Sequence, residues 1–322
     1  MIKRILYVLV AVCCFGQLSA QSVKFAVLTD IHQDLMCDCE QRLKVFLDAA
    51  KKEKVDFIID LGDFVFPKES NTEFINLWKN CPIEKYNVIG NHDAEMCTKQ
   101  EFMDYVGMKS RYYSFDKGGI HFVVLDANHL YKDGKYIPYK NGNFFVDESM
   151  REFIDQEQID WLREDLRKTN NRCLIFCHQS LEMCVGNREA VRAVLEQENE
   201  RVGYTKVFAS LNGHHHTNYE KEINGIVYVQ MNSASNQWLG DKYTCTTRFP
   251  ESEYKRRPAL KYLLPWKDCL YGIVTINKKG MKIKGVKSEF IPPVPENMDE
   301  ISKEMGIPVV PYIKNFKLKF KD

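Results

Sequence analysis

The chain has almost no charge excess: 45 Lys and Arg stand against 44 Asp and Glu, a formal net charge of +1 over 322 residues. That balance removes the electrostatic footprint of a nucleic-acid binder, so no nucleic acid is expected as a partner. No repeat recurs along the chain, which excludes solenoids and propellers. Glycine (17) and proline (11) are too few and too scattered for a collagen-like or low-complexity chain. No cysteine is followed six residues later by arginine, and no Gly-x-Ser-x-Gly occurs, so two common nucleophile motifs are missing. Beyond the N-terminus no apolar run reaches the roughly 20 residues of a membrane span. What remains is a globular composition, 44% hydrophobic and 28% charged.

The one long apolar run is an address. Lys3 and Arg4 precede Ile5–Phe15, and small residues follow up to Ala20. This is the pattern of a secretory signal peptide, residues 1–20, and it predicts an exported protein, periplasmic or secreted. Removing those residues leaves nine of the eleven cysteines, an odd number, so at least one thiol stays unpaired within the chain. Cys37 and Cys39 form the one close pair and read as loop thiols or one half of a disulfide.

Short apolar runs then alternate with helical periods, which argues for an α/β layer architecture. Strands are expected at Val23–Leu28, Val55–Asp60, Tyr86–Ile89, Tyr112–Phe115, His121–Leu125, Cys173–Cys177, Val207–Leu211, Ile226–Val229 and Tyr271–Ile276. Helices are expected over Glu40–Lys54, Thr72–Lys79 and near Asn187–Gln197. Two capping boxes, Thr98-x-x-Glu101 and Ser149-x-x-Glu152, should open further helices, the second running to Lys168. Residues 232–268 show no period and read as a long functional or mobile loop. A single domain over 21–290 with a tail over 291–322, packed on it or extending from it, accounts for the rest.

The chemistry sits where the strands stop. Five strand ends run into Asp30-Ile31-His32, Gly62-Asp63, Gly90-Asn91-His92-Asp93, His178 and Gly213-His214-His215-His216. Ligands of open α/β sheets bind beyond the carboxyl ends of the strands. Carboxylate, amide and imidazole donors suit Mn, Fe, Zn or Co. In extended chain, residues two apart point the same way, so Asp30 pairs with His32 and His214 with His216, with Ile31 and His215 turned aside. Gly62, Gly90 and Gly213 should let backbone approach an ion or substrate closely. His121 opens an apolar strand and reads as structural.

The ordered set D-x-H, G-D, G-N-H-D, H, G-H-x-H, from about Val23 to Val286, resembles the calcineurin-like metallophosphoesterases. That resemblance implies an α/β four-layer sandwich, two mixed β-sheets flanked by helices, with two divalent metal ions. It implies that Asp30, His32 and His216 hold one ion and that Asn91, His178 and His214 hold the other, with Asp63 bridging. His92 would then lie at the scissile phosphate as the catalytic residue; beside it, Asp93 reads either as the group that orients it or as a surface carboxylate. Where many diesterases of the family carry a further Asp or Asn, this chain reads Gly62-Asp63-Phe64-Val65-Phe66, which counts against a nucleotide diesterase.

Such a centre predicts hydrolysis of a small phosphorylated substrate, a monoester or diester, by a hydroxide bridging the two ions. A pyrophosphatase acting on nucleotide diphosphates or ADP-ribose-like compounds, and a non-catalytic metal-binding protein, are the alternatives. Asn128, His129, Asn236, Trp238, Arg256 and Arg257 are candidates for shaping the substrate pocket.

Overall fold

A computed structural model describes residues 22–320. The signal-peptide reading of residues 1–20 lies outside the described residues.

The alternation of apolar runs and helical periods becomes three β-α units. β1 (Ser22–Leu28) leads to α1 (Cys39–Glu53), which buries Leu43, Phe46, Leu47 and Ala50 along one face. β2 (Phe57–Asp60), α2 (Thr72–Lys79), β3 (Glu84–Asn87) and α3 (Lys99–Val106) follow. β3 therefore ends two residues earlier than its apolar run, and Val88 and Ile89 are buried outside it. The Thr98–Glu101 capping box is formed in both directions. A tight turn with left-handed Gly118 and Gly119 joins β4 (Tyr113–Lys117) to β5 (Ile120–Leu125), and β6 (His129–Lys132) pairs with β7 (Lys135–Pro138).

The second capping box does not form. α4 (Gln156–Lys168) starts later, capped by Asp155, whose carboxylate accepts from Gln158 N. Asp147 instead caps the single 3-10 turn that contains Ser149, and Glu152 takes a left-handed backbone. The chain continues through β8 (Arg172–Cys177), α5 (Arg188–Val202), β9 (Val207–Asn212), β10 (Tyr219–Ile223) and β11 (Ile226–Gln230). β12 (Asn236–Trp238), α6 (Glu251–Arg256), β13 (Leu263–Pro265), β14 (Gly272–Asn277) and β15 (Gly280–Gly285) come next, then α7 (Met298–Met305) and β16 (Phe316–Lys319).

Two six-stranded mixed sheets result. The first has the order β16-β15-β14-β1-β2-β3, with β1, β2 and β3 parallel. The second has the order β10-β11-β9-β8-β5-β4, with β5, β8, β9 and β11 parallel. They face each other across Phe25, Phe57, Phe122, Phe176, Leu211 and Val274. Phe25 stacks on Phe57 at 4.7 Å, and Phe122 stacks on Phe176 at 5.8 Å. Such pairs add about 0.5–1.5 kcal/mol each beyond their buried area. α1 and α2 cover the outer face of the first sheet, and α4 and α5 that of the second. This is the four-layer sandwich.

The segment 232–268 is tied down rather than free. Arg42 of α1, 2% exposed, donates to the carbonyls of Ala234, Trp266 and Asp268. The tail is anchored as well: β16 extends the first sheet, and Asn232 donates to the carbonyls of Val310 and Tyr312. The nine described cysteines are all free thiols, so Cys37 and Cys39 pair with nothing. His121 lies between Asp116 and Asp165 on the second sheet, a structural role.

Candidate metal centre

The loops that leave β1, β2, β3, β8 and β9 meet at one end of both sheets. The first two are stitched together: Asp30 N donates to Gly62 O at 2.9 Å and His32 N to Asp63 O at 3.1 Å. Asp30, His32, Asp63, His214 and His216 all have positive φ, between 49° and 72°. Left-handed backbone costs a non-glycine residue about 1–3 kcal/mol and persists only where its surroundings dictate it. The alternation in Asp30-Ile31-His32 and His214-His215-His216 is therefore real, but alternate left-handed residues produce it, not extended chain. Ile31 is fully buried among the first sheet's outer core, as expected. His215 contributes to neither group of donors that contains Asp30 or Asp63; it joins Cys184 and His214 in a separate cluster of possible ligand atoms.

The three glycines make room for protein rather than for an ion. A Cβ on Gly90 would lie 2.1 Å from Asp63 Oδ1, and one on Gly213 would lie 2.4 Å from Asp30 Oδ2. A Cβ on Gly62 would lie 2.7 Å from His178 Nδ1. The ligand loops interlock, and only glycine fits between them.

Two clusters of donor atoms result. Asp30, His32 and His216 offer atoms within 4.8 Å of one another, as do Asp63, His178 and His214. His216 Nε2 is 3.2 Å from Asp30 Oδ1 and 3.1 Å from His32 Nε2. His178 Nε2 is 3.2 Å from Asp63 Oδ2, and His214 Nδ1 is 3.0 Å from Asn91 Oδ1. Asp63 Oδ2 also faces His32 Nε2 at 3.9 Å, so its carboxylate lies against both clusters. All seven side chains expected as ligands converge here.

The donor set fits divalent cations. His178 Nδ1 donates to Leu61 O at 2.8 Å, and His216 Nδ1 donates to Asn236 O at 2.7 Å. His214 Nε2 faces Glu152 Oε1 at 3.1 Å. Each outer ring nitrogen is committed to a protein oxygen, so the other nitrogen of each ring points inward, toward Asp30, Asp63 and Asn91. Nitrogen and oxygen donors gathered this closely need a proton or a metal cation between them. Burial and the Asp63 and Asp30 carboxylates act oppositely on His178, and the carboxylates win, raising it to about 10. Burial would push Asp30 and Asp63 up, yet neighbouring imidazoles hold both well below the usual carboxylate range. Burial dominates at His32 and lowers it to about 3, which leaves it a neutral donor. The pocket draws positive charge.

His92 and Asp93 part company. The His92 ring lies edge-on to His32, centroids 5.3 Å apart, and Nδ1 is 2.6 Å from Glu95 Oε2. Asp93 does not touch the His92 ring; its carboxylate accepts backbone N–H groups from Gly90, Asp63, Phe64 and Val65. It is a clasp between the β2 and β3 loops. Glu95, three residues after His92 across a 3-10 turn, is the orienting group, and that spacing was the available signal. Glu152 was also missed, because its sequence context resembles a helix cap.

The expected pocket residues divide. Asn128 and His129 are buried in hydrogen bonds with Asp126, Gln179 and Phe153, away from solvent. Arg256 and, just past the end of α6, Arg257 pair with Glu253 of that helix, and Trp238 is 39% exposed. Asn236 alone reaches the centre, through its carbonyl on His216. The narrow cleft beside the donors is lined by His32, Gln33, Asp63, Phe64 and His92.

Residues 23–218 match the family model described as calcineurin-like phosphoesterase. No curated protein sequence matches the chain. Among solved structures the chain is similar to a dimetal phosphatase from Danio rerio, with 14% identity and a TM-score of 0.58 over 84% of this chain and 99% of that one. It is also similar to GAP50 of Plasmodium, described as the anchor in the inner membrane complex. There the identity is 16% and the TM-score 0.53, over 94% of this chain and 90% of that one. At such identities the likeness is one of fold.

Proposed function

The chain belongs to the calcineurin-like phosphoesterases, metal-dependent phosphoric ester hydrolases, and from that membership we propose that it hydrolyses small organic phosphate esters with two divalent ions. The observation that carries this reading is the inward convergence of His178, His214 and His216 on Asp30, Asp63 and Asn91. Asp30, His32 and His216 would hold one ion and Asn91, His178 and His214 the other, with Asp63 between them. Such a pair supplies charge neutralisation and hydroxide at neutral pH.

The chain's own residues do the rest. Asp93 fixes the backbone on which Asp63 sits, so the bridging carboxylate cannot swing away. Asn91 contributes a neutral oxygen, which leaves the centre positive toward an anionic substrate. Glu95 holds His92 Nδ1, so Nε2 is the nitrogen that gives a proton to the leaving oxygen, a role worth about 10²–10⁴-fold. The apolar Phe64-Val65-Phe66 after Asp63 favours monoesters over nucleotide diesters. The signal-like residues 1–20 support a site of action in the periplasm or outside the cell.

Purified protein with Mn²⁺ should be assayed against nitrophenyl phosphate, bis-nitrophenyl phosphate and ADP-ribose. The reading predicts the highest kcat/KM on the monoester. Preference for ADP-ribose would establish the pyrophosphatase alternative, and bound metal without any turnover would leave a binding protein.

A further inference from the structure

We propose that Glu152 is the positioning residue of the second ion: it holds the His214 ring so that Nδ1, not Nε2, faces the metal. The inference rests on the two-ion reading above and adds a residue outside its seven ligands.

The three inward-facing imidazoles are held in two different ways. His178 and His216 are almost fully buried and lean on backbone carbonyls, Leu61 O and Asn236 O. His214 is the more exposed ring, its side chain 19% accessible, and its outer nitrogen faces a carboxylate instead. A carboxylate accepts more strongly than a carbonyl, fixes the tautomer and makes the opposite nitrogen a better donor. The ring that packing restrains least has the strongest partner.

Glu152 is itself fixed with unusual care for a loop residue. Its backbone N donates to Tyr139 Oη at 2.8 Å, and its carbonyl accepts from Gly186 N at 2.8 Å. Its φ of +67° is a conformation that a glutamate adopts only when its surroundings impose it. The Cys184 thiol, held by Ser180, neighbours the same carboxylate. The left-handed turn, both backbone bonds and the thiol serve one outcome, an oxygen 3.1 Å from His214 Nε2.

Cys184, His214 and His215 also lie close enough together to suggest a third ion. Asn91 faces one His214 ring nitrogen and Glu152 the other, so that ion would have to displace one of them, and the carboxylate role is the one the geometry favours.

The test is Mn²⁺ titration of the full chain, comparing wild type with Glu152→Ala, Glu152→Gln and His214→Ala. Wild type should bind two ions. Glu152→Ala should weaken one of them by about 10–100-fold and leave the other unchanged, which also reports that the variant is folded. Glu152→Gln, whose amide oxygen still accepts from Nε2, should recover most of that loss. Equal weakening of both ions, no weakening at all, or a Gln variant as poor as Ala would overturn the proposal. So would a third equivalent in wild type that vanishes in Cys184→Ser. If Glu152→Ala changes nothing while His214→Ala loses an ion, only the positioning role fails. If His214→Ala keeps both ions tight, the two-ion reading fails with it.

Discussion

Gly213→Ala isolates the interlocking of the ligand loops. Gly213 is not in the left-handed region, so alanine brings no backbone penalty there. The added Cβ would lie 2.0 Å from Thr29 Oγ1 and 2.4 Å from Asp30 Oδ2, at least an ångström inside ordinary contact, which begins near 3.4 Å. The Asp30 backbone cannot retreat easily, because its carbonyl accepts from Ser233 Oγ at 2.8 Å and its N–H is bonded to Gly62 O. The side chain must therefore move, breaking the 2.6 Å bond from Thr29 and the contacts with His214 N. A displacement of about 1 Å at a reacting centre costs on the order of 10²-fold in rate, and overpacking of this kind costs about 1–3 kcal/mol of stability. We expect kcat/KM to fall at least that far, with loss of the ion on Asp30, His32 and His216, while far-UV circular dichroism stays native. Gly107→Ala is the control: φ is +87° there but nothing lies within 4 Å, so stability should drop by about 1 kcal/mol with activity intact. A Gly213→Ala protein with two ions and wild-type turnover would refute the argument.

Other consequences are open to measurement. His92→Ala should lower kcat by about 10²–10⁴-fold with metal content unchanged; lost metal would make His92 a ligand instead. Burial lowers the His92 pKa, but Asp63 and Glu95 outweigh it and the net shift is upward from 6.5. A proton donor so held loses activity as pH rises through that raised value. Glu95→Gln should therefore move the alkaline limb of the pH–rate profile to lower pH, and an unmoved limb would reject Glu95 as its partner. Arg42→Met removes a donor from the carbonyls of Ala234, Trp266 and Asp268 and should cost about 1–3 kcal/mol in urea unfolding. The same variant should bind metal more weakly, because the segment it anchors carries Ser233 and Asn236.

The ligands were legible because each follows an apolar run that ends at a layer edge, and hydrophobic runs are the strongest local signal. The pairing of Asp30 with His32 was legible too, though its cause is left-handed backbone at both residues, which periodicity does not encode. β10 (Tyr219–Ile223), an edge strand, and β15 (Gly280–Gly285), second from its sheet edge, escaped notice because charged residues break up their apolar runs. Two hairpins had an unused signal: Asp133-Gly134 and Asn224-Gly225 each pair two positive-φ residues, the chemistry of a tight hairpin turn. Asp93 looked like a partner of its neighbour, but an adjacent carboxylate reaches backbone N–H groups more readily than the ring. Glu152 was illegible, since its partner His214 lies far along the chain and only the folded loops bring them together. Segment 232–268 lacks a period because the polar bonds of Arg42 and buried serines and scattered apolar anchors such as Leu260, Leu263 and Trp266 hold it, with no long helix or strand to impose one.

The most direct test is the anomalous-scattering map of a crystal loaded with Mn²⁺. Two peaks about 3.5–4 Å apart, with the Asp63 carboxylate between them and Asp30, His32 and His216 around one of the pair, are the predicted result. One peak, or peaks that share no carboxylate, would contradict the account.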